Sequence, residues 1–219
     1  MQAGVITFPG SNCDRDVAVA LKGAGASVQR LWHGDTELPR LDLIVLPGGF
    51  SYGDYLRCGS IAARAPIMEE VVRAADAGIA VLGICNGFQL LTEAGLVPGA
   101  LIANTGLKYI CREVDLDVVS INSIFTTVYD PGQPVRMPIA HHDGNYICDE
   151  DELKRLHDED RIAFRYLDNP NGSTADIAGV FGAGRNILGM MPHPERAVDP
   201  MTGGTDGQPL FRALLEALS

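Results

Sequence analysis

Two hydrophobic patterns alternate along the first half of the chain. Runs of consecutive apolar residues, such as LIVL at 43–46, are typical of parallel strands that are buried on both faces. Between them, apolar residues recur every three or four positions over 14–23, 67–77 and 86–94, which predicts helices. The strands predicted in this half have the sequences GVITF, SVQRLW, LDLIVLP and IAVLGIC. This alternation predicts βαβ units and a mostly parallel sheet.

The pattern changes after residue 94. Strand-like segments are separated there by turn sequences such as DPGQP and NPNGS. These segments read VDLDVVSIN, PVRMPIAHH, RIAFRYL and DIAGVF. A buried-strand pattern returns at NILGMM, and a helix is predicted over 209–218. We therefore predict one α/β domain over 1–219, with a mostly parallel central sheet, helices on both faces and added antiparallel strands on one side.

Composition and charge limit the binding partners and the cellular compartment that we expect for this protein. The 17 Lys and Arg against 28 Asp and Glu give a net charge of −11, which disfavours binding to nucleic acid. No apolar stretch approaches membrane-spanning length, and no basic residue precedes the first apolar run as a secretory signal requires. The five cysteines form no C-x-x-C pair. We expect a cytoplasmic protein with free thiols and no membrane partner.

Cys85 lies in the segment Gly83-Ile84-Cys85-Asn86-Gly87, where a predicted buried strand meets a predicted helix. This matches a nucleophile elbow, in which glycines relieve steric collisions across a sharp turn. A helix N-terminus favours a thiolate, and the N–H of Asn86 is placed to donate to an oxyanion. The alternative is a buried structural cysteine. The context of strand, turn and helix favours the nucleophile.

A thiol nucleophile needs a base, and His193 is the best of the five histidines. It follows the strand NILGMM in the segment Met-Pro-His-Pro-Glu, where the prolines favour extended backbone. Residues two apart in extended chain point the same way, so His193 and Glu195 project together. His33 and His157 lie in polar stretches and are predicted to be surface residues. We expect Glu195 to orient the His193 imidazole.

A second oxyanion donor is predicted in the loop that follows the strand at 43–46. Gly48 and Gly49 stand directly after this strand, and adjacent glycines leave backbone N–H groups free to approach a ligand. A plain turn is the alternative for the glycine pair on its own.

In this order, the PGG, GIC-x-G-x-Q and H-P-E segments resemble the class I, triad-type glutamine amidotransferases. Longer segments resemble one group of that family, the glutaminase subunits of phosphoribosylformylglycinamidine synthase, which acts in purine biosynthesis. These segments are FPGSNCDRD (8–16), PGGFSYGDYLR (47–57), GICNGFQLLTEAG (83–95), NPNGS (169–173) and GMMPHPERA (189–197). The resemblance covers essentially the whole chain.

The resemblance implies a role for each matching residue. Cys85 would attack the side-chain amide of glutamine, and His193, held by Glu195, would protonate the departing ammonia. Gly49 and Asn86 would supply the oxyanion donors, and Gln89 would contact glutamine. Ammonia would pass to a large synthetase subunit, with a small accessory subunit assisting assembly. There it would convert formylglycinamide ribonucleotide to formylglycinamidine ribonucleotide.

No P-loop or magnesium-binding carboxylate cluster is present in the sequence, so we expect no cofactor in this chain, with ATP and Mg²⁺ used only by the partner. His141, His142 and Asp143 stand where relatives often read H-G-E, and their role is open. Neighbouring residues in extended chain point oppositely, so no metal site is expected there. Cys58 is interpreted as a spectator thiol.

Two questions remain open at this level. Ser11 or Asn12 is predicted to cap the helix at 14–23, or the loop at 8–16 contacts the synthetase. For the whole chain, a different cysteine hydrolase or chaperone-like protein of similar fold is one alternative. A non-catalytic binding module is another. The first would lack Gly48, Gly49 and Glu195 at these places, and the second would lack the nucleophile or base.

Overall fold

The computed structural model describes all 219 residues, and it contains eleven strands and five α-helices. The strands are β1 Gln2–Thr7, β2 Ser27–Trp32, β3 Leu43–Leu46, β4 Ala80–Ile84, β5 Ala100–Ile102, β6 Ile110–Val118, β7 Pro134–His141, β8 Asn145–Ile147, β9 Ile162–Tyr166, β10 Ile177–Phe181 and β11 Ile187–Met190. The helices are α1 Asp14–Ala24, α2 Pro66–Asp76, α3 Asn86–Glu93, α4 Glu150–Asp158 and α5 Gln208–Ala217. Short 3-10 helices cover Ser51–Asp54, Ala62–Arg64, Thr174–Asp176 and Pro194–Arg196.

Nine strands form one sheet in the order β2-β1-β3-β4-β11-β10-β9-β6-β7. The pairings from β2 to β11 are parallel, and those from β11 to β7 are antiparallel. Every residue of β3 and β4 is buried, as their unbroken apolar runs predict. The predicted fold class, including antiparallel strands added on one side, is confirmed.

The parallel strands bring the segments that follow β1, β3, β4 and β11 to one edge of the sheet. The chain moves outward in one direction from β1 to β2 and in the other from β3 to β4. Right-handed crossovers therefore put α1 and α2 on opposite faces. The loops after β1 and β3 meet at this reversal, where Ser11 and Gly49 form an isolated bridge. In open α/β sheets, ligands bind at such a reversal, beyond the carboxyl ends of the strands.

Three elements escape the sequence pattern. Helix α4 is missed because it is strongly polar and buries only Leu156, so no apolar stripe marks it. Its N-cap, Asp149, accepts a hydrogen bond from the N–H of Glu152, and D-x-x-E is a cap signal that could have found it. Strands β5 and β8 form a separate two-stranded antiparallel sheet of three residues each. Strands this short carry little periodicity.

The predicted cap of α1 is wrong. The N-cap residue is Cys13, and no side chain caps the helix. Ser11 instead accepts from the N–H of Phe8, and the Asn12 side chain accepts from the Cys13 thiol. The backbone N–H groups of Asn12 and Cys13 donate to the Gly48 carbonyl, which ties this loop to the end of β3. The loop geometry follows the neighbouring strand rather than a local cap.

No helix in the chain has both the length and the apolar composition needed to cross a membrane.

Candidate active site

Cys85 lies between β4 and α3, in the strained backbone conformation that a nucleophile elbow requires. Its φ is 51° and its ψ is −104°, and its N–H donates to the carbonyl of Met190 at 2.8 Å. It occupies the N-cap position of α3, so the thiol lies at the positive end of the helix dipole. The side chain is buried, and its sulfur lies 3.8 Å from the carbonyl oxygen of Ala140.

The glycines around Cys85 are required by close approach of backbone. A Cβ on Gly83 would lie 2.7 Å from the carbonyl oxygen of Gly87, across the turn. A Cβ on Gly87 would lie only 1.9 Å from the carbonyl oxygen of Leu46. The first contact is the predicted collision across the elbow. The second packs α3 directly onto the neighbouring strand β3 and involves a residue that the motif does not contain.

His193 and Glu195 form the predicted pair. The imidazole Nδ1 lies 2.7 Å from Glu195 Oε1, and both side chains are at most 3% exposed. The backbone N–H of His193 donates to the carbonyl of Pro138, which anchors this segment to β7. On the other side of the ring, Nε2 is buried without a hydrogen-bond partner. A bond at Nδ1 alone leaves Nε2 available for chemistry.

The surroundings of His193 favour the charged imidazolium. Burial by itself lowers the pKa of His193, but the Glu195 carboxylate opposes this, and the thiols of Cys85 and Cys13 add to the rise. The net pKa lies well above the ordinary histidine value. A general acid must be protonated before the leaving group departs, and the imidazolium of His193 meets this requirement.

Cys85, Gly49 and His193 line one cavity of about 30 Å³, together with Cys13 and Phe50. The backbone N–H groups of Gly49 and Asn86 donate to no acceptor within the chain. Gly48 does not line this cavity. It lies under the imidazole, where a Cβ would be 2.7 Å from His193 Cε1. Gly49 therefore leaves its backbone N–H exposed to the cavity, and Gly48 leaves room for the imidazole of His193.

Asn86 and Gln89 connect the elbow to the loop after β3. The Asn86 side chain accepts from the N–H of Ser51 and donates to Gln89 Oε1 at 2.8 Å. Gln89 Nε2 in turn donates to the carbonyl of Asp143 at 2.7 Å. Both ends of the Gln89 amide are thus engaged within the chain, and Gln89 does not line the small cavity. Its contact with glutamine stays a prediction.

Cys13 is the site residue that the sequence did not reveal. Its sulfur lies within 4.8 Å of a ring nitrogen of His193 and a carboxylate oxygen of Glu195, and the side chain is buried. No spacing rule links residue 13 to residue 193. Only the register that sets the loop after β1 beside Gly48 brings them together. Burial also raises the pKa of the Cys13 thiol.

The segment at 141–143 alternates as predicted. His141 is buried with Nδ1 3.0 Å from Asn104 Oδ1, and burial lowers its pKa to about 4. His142 is exposed and pairs with Asp143 Oδ1. The other oxygen of Asp143 accepts from the Cys58 thiol at 2.8 Å. Burial and this contact raise the pKa of Cys58, so that thiol stays protonated.

The sequence matches a known family over most of its length. The model of the CobB/CobQ-like glutamine amidotransferase domain matches residues 1–206. The phosphoribosylformylglycinamidine synthase subunit PurQ of Cereibacter sphaeroides is 62% identical, over 100% of this chain and 99% of the relative. The subunit of the same name from Roseobacter denitrificans is 60% identical, over 100% and 99%.

Solved structures agree with these matches. The PurLQS structure from Thermotoga maritima contains a chain that superimposes with a TM-score of 0.93 at 44% identity, covering 100% of this chain and 99% of that one. The glutaminase domain of Trypanosoma brucei CTPS with bound acivicin gives a TM-score of 0.65 at 15% identity, with coverage of 100% and 93%. The second likeness shows the fold alone. The chain belongs to the glutamine amidotransferase family, in the group of PurQ subunits of phosphoribosylformylglycinamidine synthase.

Proposed function

We propose that this chain hydrolyses glutamine to glutamate and ammonia as the glutaminase subunit of phosphoribosylformylglycinamidine synthase. The observation that carries the proposal is the convergence of the Cys85 thiol, the His193 imidazole and the free Gly49 N–H on one cavity. Likeness over the full length to subunits of that name supports the substrate and the pathway. Neither a different cysteine hydrolase nor a non-catalytic module accounts for this combination as well.

The reaction follows from the positions of these groups. Cys85 reacts as a thiolate, because its proton has passed to the imidazole of His193. Its sulfur attacks the side-chain carbonyl carbon of glutamine, and the oxyanion accepts hydrogen bonds from the N–H groups of Gly49 and Asn86. His193 gives its proton to the departing ammonia, and a thioester on Cys85 remains. The imidazole then takes a proton from water, which attacks the thioester and releases glutamate. Glu195 holds the imidazole at Nδ1 in both steps.

The closed cavity supports activation by a partner. About 30 Å³ is close to the space of one or two waters, too little for a carboxamide and its attacking water. The loop that would have to move carries positive φ values at three non-glycine residues, Tyr52, Asp54 and Leu56. We therefore propose low activity alone, and opening of the site when the large synthetase subunit aligns this loop.

The proposed function also defines the fate of the ammonia and the partners of this chain. Ammonia passes to the synthetase, which uses ATP and Mg²⁺ to convert formylglycinamide ribonucleotide to formylglycinamidine ribonucleotide, and a small subunit assists assembly. The PurLQS structure from Thermotoga maritima supports a three-part complex. This chain needs no cofactor of its own for glutamine hydrolysis. We propose a cytoplasmic location, where nucleotides and glutamine are available.

The test is glutamate release by the pure chain, measured with and without the synthetase and small subunits. We expect activity to rise at least about tenfold with the partners, and Cys85→Ala to lower kcat by about 10⁴-fold or more. Cys111→Ala, which removes an exposed thiol, is the matched control and retains full activity. No glutamate release under either condition, or undiminished release from Cys85→Ala, would refute the proposal.

A further inference from the structure

The turn at Ser51–Asp54, just after the oxyanion donor Gly49, has an unfavourable backbone conformation. Tyr52, Gly53 and Asp54 are three consecutive residues in the left-handed region, with φ values of 54°, 73° and 54°. Tyr52 and Asp54 carry a Cβ, which makes this region costly for them. Such a conformation persists only where contacts from outside the turn hold it.

The side chain of Asn86 holds this turn at both ends. Its Oδ1 accepts from the backbone N–H of Ser51 at 3.1 Å, and its Nδ2 donates to Asp54 Oδ1 at 3.3 Å. We call these two contacts the Asn86 clamp. Nδ2 also donates to Gln89 Oε1 at 2.8 Å, and Asn86 is only 2% exposed. An acceptor must face the backbone donor and a donor must face two acceptors, which a carboxamide satisfies and a carboxylate does not.

We propose that the Asn86 side chain is the positioning group of the oxyanion hole, a role that rests on the proposed glutaminase function. The backbone N–H of Asn86 is one oxyanion donor, and the other, that of Gly49, lies two residues before Ser51. Asn86 therefore supplies the first donor and also ties down the segment that carries the second. The clamp sets the separation of the two donors, which stand on different elements.

Loss of the clamp affects turnover rather than substrate affinity. A developing oxyanion needs both donors at hydrogen-bond distance, so a displaced Gly49 N–H raises the barrier to attack. Alkylation of the Cys85 thiolate by iodoacetamide forms no oxyanion, because the sulfur displaces iodide from a saturated carbon. The alkylation rate therefore reports whether the elbow is intact, independently of the two donors.

Turnover is measured as glutamate release by the reconstituted complex, where the partner is proposed to align this loop. We expect Asn86→Ala to lower kcat by about tenfold or more and to change KM for glutamine by less than about threefold. Iodoacetamide alkylates Cys85 in this variant at no less than the wild-type rate. An unchanged kcat, a rise in KM alone, or slower alkylation of Cys85 overturns the proposal.

Asn122→Ala is the matched control. The Asn122 amide also donates to a carboxylate, that of Asp160 at 2.6 Å, but Asn122 is exposed and does not line the cavity. This variant keeps the wild-type kcat. An equal loss of turnover in both variants would mean that the clamp has no specific part in the reaction.

Reversing the polarity of the clamp tests its hydrogen bonds rather than the size of the side chain. Asn86→Asp places a carboxylate against that of Asp54, and the repulsion releases the turn. Adding Asp54→Asn restores a donor opposite the new carboxylate, while the Ser51 N–H keeps its acceptor. We expect kcat of the double variant to exceed that of Asn86→Asp by about fivefold or more. Absence of recovery would mean that Asn86 acts by packing alone, which overturns the proposal.

Amide hydrogen exchange of the pure chain tests the clamp without any activity. We expect a peptide that covers 51–54 to exchange about tenfold faster in Asn86→Ala than in the wild type and in Asn122→Ala. Equal exchange in all three overturns the clamp. Absence of glutamate release from the wild-type complex would refute the glutaminase function instead, and the exchange rates would still decide whether Asn86 holds the turn.

Discussion

The imidazole of His193 is subject to two opposing effects, and the balance between them sets its protonation. Burial of the ring lowers its pKa, and the Glu195 carboxylate 2.7 Å from Nδ1, together with the Cys85 and Cys13 thiols, raises it by more. Gly48 permits this arrangement because any side chain there would collide with Cε1. Glu195 thus provides the negative charge, and Gly48 provides the space in which the charged ring is held.

The pH profile of glutamine hydrolysis tests this balance. Because the pKa of His193 is raised, its proton is retained at neutral pH and lost only as the pH rises through that elevated value. Glu195→Gln removes the charge that raises the pKa. We expect the alkaline limb of kcat/KM to move to lower pH by about 1 unit or more. The measurement is glutamate release by the reconstituted complex between pH 6 and 10.

Asp16→Asn is the matched control for that profile. Asp16 is also a carboxylate near the site, but it pairs with Arg196 rather than with the imidazole. Its replacement leaves the alkaline limb in place. An unmoved limb in Glu195→Gln, or a limb moved to higher pH, contradicts the assigned balance.

At the scale of elements, the contact between α3 and β3 fixes the position of the nucleophile. A Cβ on Gly87 would lie 1.9 Å from the carbonyl oxygen of Leu46, and backbone on both sides cannot yield as a flexible side chain can. We expect Gly87→Ala to lower the free energy of unfolding by about 3 kcal/mol and to reduce activity. Gly23→Ala in α1 is the control. Nothing lies within 4 Å of its Cβ, so the substitution raises the stability by about 0.5 kcal/mol.

Urea unfolding of both variants decides between packing and intrinsic helix preference. Alanine favours a helix over glycine at either position, so a preference effect would stabilise both. A Gly87→Ala protein as stable as the wild type would mean that α3 can move away from β3 without cost.

The sequence was sufficient for elements that carry their own pattern, and insufficient where a neighbour decides. Helix α3 begins at Asn86 as predicted, because the apolar run of β4 and the glycines define the turn locally. Helix α4 buries only Leu156 and gives no stripe. The start of α1 at Asp14 is set by hydrogen bonds to the Gly48 carbonyl, a partner distant in sequence. The approach of Cys13 to His193 has the same origin and was missed for the same reason.

At the scale of the whole molecule, exposed apolar side chains lie at the closed cavity and along the loop after β3. Phe50 and Tyr109 line it, with ring centroids 6.5 Å apart, and both are more than 40% exposed. Tyr55 and Leu56 follow on the same loop and are 74% and 93% exposed. Exposed apolar residues gathered at one place mark an interaction surface. Phe50, Tyr55 and Leu56 lie on the loop that is proposed to move, which connects docking of the synthetase to opening of the site.

Leu56 provides the sharpest test of that connection, because it is almost fully exposed and contributes little to the fold. We expect Leu56→Ser to weaken binding to the synthetase about tenfold, while kcat at saturating synthetase stays within about twofold of wild type. Val19→Ser is the control, since Val19 is also exposed but lies on α1. Binding is measured by calorimetry and activity by glutamate release. Unchanged affinity in Leu56→Ser, or an equal loss in Val19→Ser, would mean that the partner docks elsewhere and opens the cavity from another side.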